Sequence, residues 1–554
     1  RMITSMKKKT FSWLIGTIFL AILGLWHLND VRLGARECGD TWLIGNYLLL
    51  LAVVLAGTAL CGWFLLGEQK KRQRKLEEIY FLAGTFLGVL YLLVLPPLSA
   101  PDEISHYISA YQLSSHMLGQ PSNSEDGHVL VRARDWFLED VYGEYVYDDT
   151  ERYPVRQGLR DGSDEGTVLG EPLVEQTYRL IHDTFQNGQA NRQQEGLVVS
   201  SYPPVVTTPA AFFPQAVGIS LARLLALDSL WLAYLGRATN LLFFVFMTGL
   251  AMKRLPFGKE VLFGVALLPM TLHLAASFSY DVWIMAWIFY FTACCLDLAF
   301  VAERVRNIDV AVLAAAMALA GPCKMVYVIF MGLCLLIPIH KFGSWKKWLV
   351  SGFCVLSAWT LVMVFVNGQT VSTYVIPETE NIIGWAEEPG YSLGTFRHQT
   401  LKCLQLIFNT IMWQGEQYHL TMIGAYLGNL DPILDVPYVL VILFTGCLIT
   451  LSLRKPGEQL VLTGRNRFWI WTLCLGCTGA IMLSMMLAWT PISSKVIQGV
   501  QGRYFLPFLP VLLMSLKNDT LVLTREGNRK TLYMMCSMNA YVLLRIYGIV
   551  SMRL

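Results

Sequence analysis

"FLAGTFLGVLYLLVLPPLSAPDEISHY", residues 81–107, decides how this chain is read. No charged side chain occurs from Phe81 to Leu95. A helix needs roughly 20 mainly apolar residues to cross a bilayer, and a span near residues 79–97 supplies them. Pro96 and Pro97 end the run, and Asp102, Glu103 and His106 follow at once. The stretch reads as a membrane span that delivers two acids and a histidine to a membrane surface.

The rest of the chain agrees. Of its 554 residues 54% are hydrophobic and only 15% charged, against about 25% charged in soluble domains. The fold class expected is an all-α polytopic membrane protein with about 13 transmembrane helices and an extracytoplasmic loop layer. The net charge of +3 carries no polyanion signature, so nucleic acid is not an expected partner; the lipid bilayer is. Most of the twelve cysteines sit inside apolar runs, where they act as small hydrophobes. Cys474 and Cys477 spell CxxC without a second pair, which favours core packing over a metal site.

Orientation follows from the lysines and arginines, which short cytoplasmic loops retain. Lys7, Lys8 and Lys9 precede "FSWLIGTIFLAILGLW", an uncleaved signal anchor by its lack of a small-residue cleavage site, and place the N-terminus inside. The loop after the second span, with Lys70, Lys71, Arg72, Arg74 and Lys75, is then cytoplasmic, and the third span brings "APDEISHY" to the outer face. Residues 98–207 contain no lysine and many acids (Asp148, Asp149, Glu151, Asp161, Asp164, Glu165). That segment is too long for a plain loop and should fold as a small external layer.

The chain divides into N-terminal spans (1–97), a first extracytoplasmic loop with interfacial helices and the acid motif (98–230), and central spans (231–366). A second extracytoplasmic loop and interfacial helix (367–435) and C-terminal spans (436–554) complete it. Further spans are expected near 260–277, 282–300, 308–321, 325–338, 347–366, 436–453, 467–488, 504–517 and 531–549. The 308–321 and 325–338 pair, split by "GPCK", has the character of the broken helices that line buried sites.

Pro101 suits the first position of a helix, and acids in a first turn are favoured by the helix dipole. Ile104, Ile108, Tyr111 and Leu118 share one face, which predicts an amphipathic helix on the outer membrane surface. Asp102 and His106 share another face, while Glu103 points about 100° away from Asp102. Two readings stand side by side. The acids either begin a helix, as acids commonly do, or a carboxylate held at headgroup level acts as general base toward a hydroxyl.

Several motifs in order carry a resemblance: "PDE..H", "YPP" before an interfacial helix, "R..N" opening a span, "LLPMTLHLAASFSYD", "CKMVYV", "GAYLGNLD" and "VQGRYFLPFLPVLL". Together they resemble a family of bacterial multi-pass membrane proteins catalogued as a domain of unknown function. That family looks related to the GT-C glycosyltransferases, which include protein O-mannosyltransferases and aminoarabinose transferases. The resemblance runs from the third span to about residue 516; the chain before about 75 and after about 520 carries none of it.

The resemblance implies a GT-C-like bundle in the bacterial plasma membrane with an extracytoplasmic active site. It implies inverting transfer of a sugar from a polyprenyl-phosphate donor to a glycan or protein acceptor hydroxyl. Asp102 matches the family's base, with Glu103 as the neighbouring catalytic candidate. A lipid-phosphate leaving group needs cations more than a proton donor, and Lys324, Arg503 (beside Tyr504) and Arg237 are the candidates. A lysine at membrane depth reads as functional, whereas Arg237 and Arg503 also fit interfacial snorkelling anchors. Asp281 positions an acceptor, pairs with Lys324 or caps a helix. Some GT-C enzymes use a divalent ion, but Asp102 and His106 alone do not make a metal site, and hydrogen bonding is the better reading of His106. The competing functions are a flippase or transporter and a polymerase or ligase of lipid-linked saccharides; transporters show inverted repeats and midplane polar groups.

Overall fold

The structure, a computed structural model, describes residues 2–67, 75–138, 145–146, 155–156, 173–187, 196–366, 368, 382–459, 462–524 and 527–553. Lys70, Lys71, Arg72 and Arg74, and the acids Asp148, Asp149, Glu151, Asp161, Asp164 and Glu165, lie outside the described residues.

Helix dominates. Among the described residues eight helices are long and apolar enough to cross a membrane. They are α1 (Met2–Cys38, apolar from Trp13), α2 (Trp42–Leu66), α3 (Leu76–Val94), α7 (Ser229–Arg254), α10 (Asp281–Phe300), α12 (Trp345–Val366), α16 (Gly464–Trp489) and α18 (Asn528–Met552). Helices α1, α2 and α18 pack on one another and α18 also meets α3, so the two ends of the chain share one core. Gly34 is what lets α1 cross α18 closely, since a Cβ there would collide with the Ser551 carbonyl oxygen. Helices α3, α7 and α10 then pack in succession, whereas α12 is largely exposed.

The other apolar runs take shorter forms, and prolines are the main reason. Residues 260–277 become α8 (Lys259–Ala266) and α9 (Pro269–Ala275), because Pro269 disfavours a helical residue before it. The "GPCK" turn separates α11 (Asn307–Ala320) from a 3₁₀ helix, Met325–Leu336. Twelve residues of 3₁₀ helix is unusual, since such helices seldom exceed three or four. Residues 504–517 form a 3₁₀ turn, Gly502–Phe505, and the six-residue α17 (Leu509–Met514). Helix α15 (Tyr438–Ser452) has 15 residues, a rise of only about 22 Å.

The segment expected to form an external layer does contain a folded unit. It holds α4 (Glu103–Met117), β1 (Leu130–Arg132), a 3₁₀ turn over Ala133–Leu138, and short strands β2 (Tyr145–Val146) and β3 (Val155–Arg156). Next come α5 (Glu175–Asn187), β4 (Leu197–Val199) and α6 (Phe213–Leu224). Strand β1 pairs antiparallel with β4, and β2 with β3. A third antiparallel pair, β5 (Ile382–Ile383) with β6 (Glu388–Pro389), precedes α13 (Leu393–His398) and α14 (Thr400–Ile423). These few residues are the only sheet in the described chain. Along α6, Phe213, Val217, Leu221 and Leu224 form an exposed apolar stripe opposite buried Ala216, Ile219 and Ala222, the pattern of an interfacial helix. Helix α14 exposes Leu401, Leu404, Phe408 and Ile411 in the same way.

Helix α4 departs from the expected surface-lying amphipathic form. Ile108 and Tyr111 are buried, but so are Glu103, His106, Tyr107 and Ala110 on its other sides. It is clamped between α6 and the β1 strand, so no face is left for lipid along most of its length.

Candidate functional site

The acid turn is built by local strain. Asp102 precedes α4 as its N-cap with φ +57, the left-handed region, and Leu98 four residues earlier has φ +64. Non-glycine residues held there cost free energy and cluster at functional sites. Pro101 therefore sits outside the helix rather than at its first position. The Asp102 side chain makes no capping hydrogen bond. It accepts one from Arg503 Nη2 at 2.5 Å instead, while Arg503 Nη1 donates to the Pro101 carbonyl at 3.4 Å. The Asp102 side chain is 61% exposed and that of Arg503 only 3%.

Arg503 also faces Asp281, with Nε 3.3 Å from Oδ2. Asp281 accepts a hydrogen bond from Lys324 Nζ at 2.6 Å on its other oxygen. Asp102, Arg503, Asp281 and Lys324 thus form one chain of alternating charge, although the sequence separates its members by up to 401 positions. Asp281 is the first residue of α10, yet its carboxylate serves the two cations rather than capping the helix. The Lys324 ammonium stands 4.1 Å from the Tyr504 ring centroid and 5.1 Å from that of Tyr280, within cation–π range. The Tyr327 hydroxyl donates to the Tyr504 carbonyl at 2.8 Å, tying the 3₁₀ helix to the Arg503 turn.

Burial alone would lift the Asp102 carboxyl; the charges of Arg503 and His106 outweigh it and hold the group below the usual carboxylate range. His106 is buried with its ring edge-on to Tyr280, centroids 4.9 Å apart, and burial pushes its pKa down to about 4. Its Nδ1 has no hydrogen-bond partner among the described residues. Among the described residues no group of three or more His, Cys, Asp or Glu side chains is placed to hold a metal ion. Asp102 and Asp281 are neutralised by Arg503 and Lys324, so these residues do not fit a divalent cation.

Glu103 and Arg237 lie elsewhere. Both side chains are fully buried, with Arg237 Nε 3.4 Å from Glu103 Oε1. Arg237 donates to the carbonyls of Leu92 and Leu95 at the end of α3. An arginine with no exposure is not a snorkelling anchor; its charge partner is Glu103.

Next to the charge chain is a cavity of about 500 Å³ between the 3₁₀ helix, α12 and α16. Its wall is mostly apolar; Lys324, Thr207, Ser484 and Tyr504 supply its polar groups. Trp359 lines it too, and its indole N–H has no partner among the described residues. The "YPPVVTT" segment, which by sequence is a lead-in to an interfacial helix, covers this region: Thr207 donates to the Cys323 carbonyl at 3.0 Å. Tyr280, Tyr327 and Trp359 escape a sequence reading, because an aromatic in an apolar run gives no signal that separates a site from a core.

Residues 85–512 match the model of a protein family described as "Predicted membrane protein (DUF2142)". No curated protein and no solved structure matches the chain. The matched stretch covers most of the chain and contains Asp102, Glu103, His106, Arg237, Asp281, Lys324, Arg503 and Tyr504. With several apolar helices of spanning length and a match over that much of its sequence, this chain belongs to the DUF2142 family of membrane proteins.

Proposed function

We propose that this protein is a GT-C-type membrane glycosyltransferase of the bacterial plasma membrane, with its site on the extracytoplasmic face of a bundle of about 13 spans. It moves a sugar from a polyprenyl phosphate to an acceptor hydroxyl of an envelope glycan or protein, with inversion. The observation that carries this reading is the juxtaposition of Lys324 with a largely apolar cavity, joined through Asp281 and Arg503 to the more than half-exposed Asp102. A lipid phosphate has the matching chemistry: an anionic head for the ammonium and a hydrocarbon chain for the cavity.

In this mechanism the acceptor oxygen attacks the anomeric carbon and gives its proton to Asp102. The bond from that carbon to the phosphate oxygen breaks, and the polyprenyl phosphate leaves with the electron pair, met by Lys324. Arg503 keeps Asp102 ionised at the cost of basicity. A weak base is adequate, because the hydroxyl becomes acidic only as its oxygen bonds to the electron-poor carbon. Buried behind both carboxylates, Arg503 orients Asp102 rather than binding the phosphate, which leaves Lys324 as the phosphate ligand.

The test is binding of undecaprenyl phosphate and undecaprenol to protein in nanodiscs, read by native mass spectrometry. The phosphate should bind at least about tenfold more tightly, and Lys324→Met should erase the preference, since hydrogen bonds to ionised phosphate are the strong ones. Equal binding of phosphate and alcohol to the unmodified protein would defeat this reading. Net movement of the lipid-linked saccharide without transfer would replace it with the flippase reading.

A further inference from the structure

The Asp102–Arg503–Asp281 geometry depends on a group that takes no part in it. The Glu103 carboxylate accepts the Ala100 N–H at 2.8 Å on one oxygen and the Phe278 N–H at 2.9 Å on the other. Ala100 belongs to the strained turn that presents Asp102. Phe278 belongs to the turn that presents Asp281 three residues later. On its carbonyl side that second turn is held by Asn240, which donates to Ser277 and Ser279, and by Gln215, which donates to Phe278. Arg237 supplies Glu103 with a counter-charge and at the same time grips the end of α3. A single buried carboxylate therefore bridges the two turns from which the site's acids project.

We infer that Glu103 is a positioning residue: with Arg237 as its counter-ion, it fixes the separation of Asp102 and Asp281 so that both share Arg503. Buried charges are tolerated when paired and hydrogen-bonded, and Glu103 has every partner it needs within the scaffold. Such a group is poorly placed to exchange a proton with a substrate. It is well placed to transmit the position of α3 and α10 to Asp102.

A thiol at position 102 reports this without any knowledge of the substrate. In Asp102→Cys the side chain is reachable, since position 102 is exposed. A thiolate beside a guanidinium titrates below the ordinary value of about 8.5. The rate at which a charged, membrane-impermeant reagent alkylates the introduced thiol is followed against pH by peptide mass spectrometry, so that native cysteines do not interfere. The midpoint should lie about one unit or more below 8.5. Adding Glu103→Gln should bring it back toward 8.5, as should adding Arg503→Met, which removes the cation directly. Arg503 and Asp281 are the charged groups facing position 102 and the neutral His106 ring is the other titratable one, and all three remain in the Glu103→Gln variant.

If Glu103→Gln does not fold, Glu103→Gln with Arg237→Met removes both buried charges and should raise the midpoint in the same way, because a buried pair replaced as a unit is often tolerated. A purely structural role would lower the melting temperature and leave the midpoint where it was. An unmoved midpoint in either folded variant overturns the inference. Only the description of Asp102 as the base rests on the transferase reading: a chain that moves no sugar but shows the shift sinks that reading and leaves this one standing, and the converse holds.

Discussion

Asp102 and Glu103 are neighbours with opposite fates, and the difference is a matter of degrees of rotation. The positive φ at Asp102 turns its carboxylate outward to Arg503, and the first helical residue then points inward to the core. Asp102→Asn keeps the size and tolerates the left-handed conformation, and it removes no capping bond. Its ion pair is more than half exposed on the acid side, so stability should fall by only about 0–1 kcal/mol. Transfer from a polyprenyl-phosphate donor should drop by at least roughly 100-fold. Full transfer by a folded Asp102→Asn protein would remove Asp102 from the mechanism. Glu103→Gln is the harsher change for stability, because an uncompensated buried Arg237 costs about 3 kcal/mol or more.

His106 makes the acid sensitivity of this region predictable. Its folded pKa of about 4 lies below the unfolded value of about 6.5. The unfolded chain therefore binds a proton that the native state refuses, and stability falls as pH drops from about 6.5 to about 4. His106→Gln should flatten the melting temperature over that range relative to the unmodified protein. An identical slope in both would mean that the ring is not buried neutral.

At the scale of elements, the site is assembled by pieces too short to be spans. The Gly502–Phe505 turn rests directly on α14, with the Gly502 N–H donated to Thr421 Oγ1 at 3.0 Å. A Cβ at Gly502 would collide with the Tyr418 carbonyl oxygen and the Met422 nitrogen. Backbone atoms of a helix cannot yield, so Gly502→Ala must push the turn, and Arg503 with it, away from Asp102. Overpacking of this kind costs about 1–3 kcal/mol, and transfer should fall although no charge has changed. Wild-type melting and activity in Gly502→Ala would show that the turn does not set Arg503. Prolines stand at the breaks between the short pieces: Pro269 opens α9, Pro322 lies in the turn before the 3₁₀ helix, and Pro510 is in the first turn of α17.

For the whole molecule, the proposal requires residues 98–207 on the outer side and the Lys70–Lys75 loop inside. A cysteine introduced at Ser163 should react with an impermeant maleimide on intact cells, and one at Gln73 only after lysis. Both positions lie outside the described residues. The reverse pattern would put the charge chain on the cytoplasmic face, out of reach of an external acceptor. The sequence by itself determined the membrane class, the long spans and the folded unit that follows the third of them. Those depend on the lengths of apolar and polar runs, which are local properties of the chain. It also picked out Asp102, Asp281, Lys324 and Arg503, since ionisable groups beside apolar runs are conspicuous in any membrane sequence. Only the tertiary structure decided that Arg503 lies behind two carboxylates, that Arg237 pairs with Glu103, and that aromatic residues line the cavity beside Lys324. Those outcomes turn on which oxygen meets which nitrogen across hundreds of residues, and on a backbone torsion at Asp102 that no periodicity encodes.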